Sequence, residues 1–256
     1  MTRFKTTLGI SITVLALLAT TAFTFLARAA QAPKKIRVLL VTGDDVSVHP
    51  WPVVSKAIKD MLAASGRFEV RVCEDPGVLE SAASLARYDL VFLDFYNAST
   101  PTLTLSPAAK ENLLNFVSGG KGFALCHLSS ASFKEWPEFR QLCGRCWVMG
   151  TSGHGPRGVF KARIAQKDHP ITQGLEDFEA DDELYAKLQG DEPINVLVEA
   201  DSDFSKKTEP LVFTLEYGKG RVFHETFGHD GKALENPTVQ KLTQRGCEWA
   251  ATGKVQ

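Results

Sequence analysis

The feature that most restricts the fold of this chain is a short, nearly unbroken apolar run, repeated several times and alternating with amphipathic stretches that stop at glycine. Residues 36–41 form the first such run and end at Thr42-Gly43. A run without polar alternation suits a strand buried on both faces, as in a parallel sheet. In residues 52–65, Val54, Ala57, Ile58, Met61 and Leu62 fall at i, i+3, i+4, i+7 and i+8, and Gly66 follows. That spacing predicts a helix with one apolar stripe and a glycine stop. Residues 68–72 and 90–93 read as a second and a third strand, joined by an Ala/Ser-rich connection. Ser106-Pro107 then supplies an N-cap and a first-turn proline, with Ala109, Leu113, Phe116 and Val117 on one face and Gly119-Gly120 as the stop. Residues 122–126 complete the series as a fourth strand. Strand and helix alternating at these distances imply right-handed crossovers and a doubly wound α/β sheet covered on both faces.

The second half is richer in β signals, at residues 159–164, 196–199, 211–215 and 221–226, with Gly218-Lys219-Gly220 as a tight turn. Hairpin spacing there predicts some antiparallel strands. A last helix opens at Asn236-Pro237, buries Val239, Leu242, Gly246 and Trp249, and stops near Gly253. With 256 residues, 44% of them apolar, one well-buried domain over residues 36–253 is expected.

Residues 1–29 read separately. Arg3 and Lys5 precede an apolar run, and Ala27-Arg28-Ala29 has the small-x-small pattern of a cleavage site. This is the layout of a signal peptide, followed by a short polar linker at residues 30–35; an uncleaved membrane anchor is the rival reading. Either way the domain is expected outside the cytoplasm, periplasmic or secreted, touching a membrane only through this segment. Three of the 29 basic residues and none of the 30 acidic ones lie in residues 1–29, so the remainder carries a net charge of about −4. A mildly acidic domain with no Lys/Arg run lacks the footprint of a nucleic-acid binder. The five cysteines, at 73, 126, 143, 146 and 247, are too few and scattered for a disulfide scaffold.

The positions of the histidines carry the chemistry. His49 lies in the loop after the first strand, His127 at the end of the fourth, and His229 just after the strand at 221–226, while Asp94 ends the third. Ligands of open parallel sheets bind beyond the carboxyl ends of the strands, so these side chains are expected to converge there. Gly153-His154-Gly155-Pro156 and Asp181-Asp182-Glu183-Leu184-Tyr185 are expected to form walls of the same site. His169-Pro170 reads as a turn and His224 as a structural strand residue.

In order along the chain, these segments resemble the ThuA-like (trehalose utilisation) family. They are Val41-Thr42-Gly43 with His49-Pro50-Trp51, residues 88–95, Gly119-Gly120-Lys121-Gly122-Phe123 running into His127, residues 133–137 and 153–156. Asp168-His169-Pro170-Ile171 with Gly174-Leu175, Asp182-Glu183-Leu184-Tyr185, and residues 216–221 with Gly228-His229-Asp230 complete the series. The resemblance spans nearly all of residues 36–252 and rests on the ordered series rather than on any one motif. It implies the flavodoxin-like three-layer sandwich of the class I glutamine amidotransferase superfamily, and a setting in sugar or keto-sugar metabolism. Two departures stand out: Pro50 replaces the usual Asn or Asp of His-Asn-Trp, and Leu128-Ser129-Ser130 replaces alanines.

The leading expectation is general acid/base chemistry on a small-molecule carbohydrate. His127 is its central proton shuttle, and Glu183 or His229 its partner. Trp51 and Tyr185 would face a sugar ring; His49, Asp94, Asn97, Ser129 and His154 would be further substrate contacts. Isomerase, lyase and hydrolase types all stay open. A variant places a divalent metal such as zinc among the same imidazoles and carboxylate, although no close-spaced His-x-x-x-His pair supports it. Cys126 as a nucleophile is disfavoured because Ala124-Leu125-Cys126-His127-Leu128 lacks the glycines of a nucleophile elbow. Cys143-Gly144-Arg145-Cys146 reads as a local disulfide rather than a redox dithiol. The non-enzyme alternative is a carbohydrate-binding module, which needs the aromatic residues but no titrating His127.

Overall fold

The computed structural model describes residues 34–97 and 104–256. The expected signal peptide and most of the expected linker lie outside the described residues. By its contacts the chain divides into Met1–Lys34 and Lys35–Gln256, and the second unit carries all the strands and helices given below. No helix among the described residues is long and apolar enough to cross a membrane.

In chain order the strands and helices are β1 Ile36–Gly43, α1 Trp51–Ala64, β2 Phe68–Cys73, α2 Ala82–Leu85, β3 Leu90–Phe95, α3 Pro107–Ser118, β4 Gly122–Cys126 and α4 Pro137–Cys143. There follow β5 Gly153–His154, β6 Gly158–Ile164, β7 Phe178–Asp182, β8 Tyr185–Ala186, β9 Asn195–Ser202, β10 Lys207–Tyr217, β11 Gly220–Glu225 and α5 Pro237–Thr252. Nine strands form one sheet in the order β2-β1-β3-β4-β11-β10-β9-β6-β7, and β5 pairs with β8 apart from it. The five strands from β2 to β11 are parallel to one another. Beyond β11 every pairing is antiparallel. The expected parallel first half, with some antiparallel strands in the second, is thus the observed architecture, and β11 of the second half joins the parallel part beside β4.

The apolar runs are buried because both faces of the sheet are covered. Val38, Leu40 and Phe92 face one core with Ile58 and Leu62 of α1 and Val239 and Leu242 of α5. Leu39, Val41 and Phe123 alternate onto the other face, against Leu113 and Val117 of α3 and Phe139 and Leu142 of α4. The α3 cap forms as its sequence predicts: Ser106 accepts from the Ala109 N–H, with Pro107 in the first turn. Asn236 caps α5 by accepting from the N–H groups of Thr238 and Val239, and Gly253 ends it in the left-handed conformation.

The strand at 178–182 escapes sequence reading. Its acidic Asp181-Asp182 end looks like a loop, and only pairing with β6 makes it a strand. The Ala/Ser-rich connection contains a 3₁₀ turn at Pro76–Glu80 and the short α2 rather than plain loop. Cys143 and Cys146, expected as a local disulfide, are both buried free thiols.

Candidate functional site

The parallel strands deliver their following residues to one edge of the sheet. β1 lies between β2 and β3, so consecutive crossovers leave it in opposite directions and open a crevice at its carboxyl end. His49 stands in the β1–α1 loop. His127 directly follows β4 with φ +41° and opens a 3₁₀ turn at His127–Ala131. A β-carbon is crowded in that left-handed region, so the surrounding packing has to hold the residue there. His229 follows β11, on a loop that turns at Gly228 with φ +121°. Glu183 sits between β7 and β8.

These four meet. Glu183 Oε2 is 3.4 Å from His127 Nε2, 3.2 Å from His229 Nδ1 and 3.5 Å from Nε2 of His154. One ligating atom from each of His49, His127, Glu183 and His229 lies within 4.8 Å of all the others. The rings pack edge to face, His49 to His229 at 4.6 Å between centroids and His127 to His229 at 5.7 Å.

Backbone carbonyls set the tautomers. His127 Nδ1 is 2.7 Å from the Thr226 carbonyl oxygen, which can only accept, so Nδ1 carries the proton. His154 Nδ1 likewise donates to the Gly155 carbonyl at 2.6 Å, and His49 Nδ1 to the His229 carbonyl at 3.4 Å. Each ring therefore turns its Nε2 lone pair away from these carbonyls, and those of His127 and His154 point at Glu183. Asp182 ties two loops together by accepting from the N–H groups of Gly228 at 2.8 Å, Glu183 at 2.7 Å and His229 at 3.3 Å.

Charge follows from this crowding. Burial alone would raise the Glu183 carboxyl, but a hydrogen bond from His127 and the positive charge that His127, His229 and His154 carry when protonated outweigh it and hold the group at about 2. Burial, reinforced by repulsion from His127 and His229, lowers His49 to about 4. Burial also pushes Asp94 up to about 7 and the Tyr185 phenol well above its usual range. The Cys126 thiol is raised by burial as well, the opposite of what a thiolate nucleophile needs.

Over residues 37–250 the chain matches the sequence profile of ThuA, trehalose utilisation. The chain belongs to the ThuA family. Membership sets it in a sugar-related pathway. The chain is similar to a ThuA-like protein of Parabacteroides merdae, with 30% identity, a TM-score of 0.77, and 87% of this chain and 92% of that one covered. A ThuA-like protein of Bacteroides uniformis shares the fold at 16% identity and a TM-score of 0.68, covering 90% and 96%. So does part of a β-galactosidase from Bacillus circulans, at 16% identity and a TM-score of 0.57, over 82% of this chain and 30% of that one. No curated protein matches the sequence.

Of the residues expected in the site of this ThuA-family chain, His49, His127, His154, Glu183, His229 and Tyr185 come together; the Tyr185 ring lies 4.1 Å from that of His127. Trp51 and Asp94 line a narrow cavity with His49, where the Trp51 indole donates to Asp45 at 3.0 Å and Asp94 accepts from Thr42 at 3.4 Å. Two expectations are corrected. Ser129 is buried and its hydroxyl is committed to the backbone, donating to the Leu93 carbonyl and accepting from the Phe95 N–H. Asn97 is buried, accepts from the Phe133 N–H, and lines a cavity with Leu105, Lys110 and Trp136 rather than that of His49.

Trp147 was not expected. Its ring packs on Tyr185 at 4.7 Å and on His154 at 5.8 Å. With Tyr96, Phe133 and Trp136 it lines a cavity of about 280 Å³, and Tyr96 also lines the narrow cavity of His49. Nothing in the sequence around Trp147 separates it from a core aromatic. Asp182 was read only as part of a wall; its role in holding the loop of His229 is a contact across 46 residues.

Proposed function

We propose that this chain is an exported carbohydrate-active enzyme that moves a proton on the carbon beside a sugar ketone. One observation carries the reading: a single carboxylate oxygen of Glu183 lies within 3.5 Å of three imidazoles at the carboxyl edge of the sheet. Glu183, His127 and His229 are the reaction centre. In the step assigned to it, the proton leaves the carbon for the centre, and the electron pair of the C–H bond moves into an enolate whose charge rests on the former ketone oxygen. Return of a proton to the carbon skeleton completes the step. His154, about one third exposed, connects the centre to solvent. Trp147 offers a ring face on which a sugar can lie, as does Trp51 from the neighbouring cavity, while Tyr185 is buried behind them against the rings of His127 and Trp147. The family's link to trehalose utilisation and the 280 Å³ aromatic cavity support a sugar over other ketones. The apolar, basic-flanked residues 1–29 support export to the periplasm or beyond.

The test is exchange of the proton next to the ketone of keto-disaccharides in deuterated water, followed by NMR. Wild-type protein should exchange it, and His127→Gln and Glu183→Gln should bind the sugar while exchanging about 10²–10⁴-fold more slowly. Sugar binding without exchange by wild-type protein would make the chain a carbohydrate-binding module and end the enzyme reading.

A further inference from the structure

We infer that His49, His127, His229 and Glu183 bind one divalent transition-metal ion of the zinc class. The first argument is that acceptors face one another. With its Nδ1 proton given to Thr226, His127 directs a lone pair at the Glu183 carboxylate 3.4 Å away. Two acceptors at that distance repel unless a cation or an extra proton lies between them.

The second argument is unmet bonding. His127 Nε2, Glu183 Oε2 and His229 Nδ1 are all buried with no hydrogen-bond partner. Orphaned polar atoms are costly one at a time. Three of them aimed at one point describe a coordination shell better than three separate defects.

The third argument is spacing. Zinc bonds to nitrogen and oxygen run at about 2.0–2.2 Å, so the edge of a tetrahedral shell is about 3.3–3.5 Å. Glu183 stands 3.4 Å from His127 and 3.2 Å from His229, at that edge length, and the four ligating atoms, within 4.8 Å of one another, need draw together only slightly to share one ion. The outer contacts also suit a metal site, because a ligating imidazole usually gives its other N–H to a carbonyl. His127 does so to Thr226 and His49 to His229. Neutral imidazoles with one carboxylate suit zinc and its neighbours rather than calcium or magnesium.

The site itself does not depend on the sugar reading; its part in turnover rests on that reading. There the ion would polarise the ketone oxygen and take up the charge of the enolate. His154, outside the four ligands but 3.5 Å from the same carboxylate oxygen, is left to carry the proton.

Protein purified without chelators should contain one equivalent of metal per chain by elemental analysis. After stripping, titration with Zn²⁺ in a calorimeter should show one saturable site and a raised melting temperature. Co²⁺ should give the intense visible absorption of a four- or five-coordinate ion. Glu183→Gln and His229→Gln should each weaken Zn²⁺ binding by about 10–100-fold or more, and His154→Gln should leave one equivalent bound. Should the buried variants not fold, as judged by circular dichroism, His49→Gln in its partly exposed loop serves the same purpose. No saturable Zn²⁺ or Co²⁺ binding by folded wild-type protein would overturn the inference, as would binding that the ligand substitutions leave unchanged. Stoichiometric metal without any keto-sugar turnover would retain the metal site and overturn the proposed function. Turnover by metal-free protein would retain the proposed function and overturn the ion's part in it, leaving the binding titration to decide the site.

Discussion

His127 combines an unfavourable backbone conformation, burial, and a ring whose tautomer is chosen by the Thr226 carbonyl. Strain of this kind costs about 1–3 kcal/mol and persists where the neighbourhood holds the residue in place. Glycine tolerates the same backbone without strain, so His127→Gly should lose activity while losing less stability than His127→Ala, a difference readable in denaturant midpoints. Glu225 gives a pH effect separate from the site. It is buried and accepts only from the Thr243 hydroxyl among the bonds formed by its carboxyl. That hydroxyl also donates to the Val239 carbonyl; with one proton to give, it is better satisfied when Glu225 is protonated and donates in return. Burial raises Glu225 from 4.5 to about 8. Between these values the folded state holds a proton that the unfolded chain has released, so stability falls as pH rises through the window. His224, lowered by burial from 6.5 to about 4, acts in the opposite direction: its contribution is lost as pH falls from 6.5 towards 4. Comparison of Tm for wild type and Glu225→Gln isolates the first effect, and the variant should gain on wild type from about pH 5 to about pH 8.

Elements decide how the site residues are presented. The loop after β11 depends on Gly228, whose φ of +121° is closed to other residues, and on Asp182, which accepts from the N–H groups of Gly228 and His229. A Cβ at Gly228 would meet His127 at an ordinary 3.6 Å, so backbone strain rather than a clash is what a substitution there costs. Gly228→Ala should therefore destabilise by about 1–3 kcal/mol and displace His229, lowering keto-sugar exchange and Zn²⁺ affinity together. Asn236→Ala is the contrasting case. It removes the α5 cap and a bond to the Glu179 carbonyl, costing about 1–2 kcal/mol in a denaturant melt with exchange kinetics unchanged. Elements with a strong period or a recognisable cap, α1, α3 and α5 among them, were legible from the sequence to within a residue or two. β7 was not, because its carboxylates interrupt the apolar pattern and its pairing partner is the only thing that makes it a strand. Ser129 misled for a related reason: a hydroxyl beside a site histidine looks like a ligand contact, and only the geometry of β3 shows that its bonds are spent on Leu93 and Phe95.

Among the described residues, 35–256 are built on one nine-stranded sheet between two apolar layers, and the site lies where its parallel half opens. Because both layers lean on the same strands, damage in either is felt throughout. Phe92→Ala, which empties a fully buried position in β3, should cost about 3–5 kcal/mol and lower the midpoint of a single cooperative transition, monitored by tryptophan fluorescence and circular dichroism together. The sequence by itself determined the class of the fold, since apolar runs and helical stripes are local patterns that depend on residues a few positions apart. It also placed His49, His127 and His229 on strand ends, which one rule about parallel sheets then gathers at one edge. Only the tertiary structure decided that Glu183 and His154, expected at the site, stand within 3.5 Å of each other, that Trp147 walls the cavity, and that the Ser129 hydroxyl is committed to the backbone and Asn97 to another cavity. Those outcomes depend on directions of side chains and on partners dozens of residues away, and such information exists only once the strands have been laid side by side.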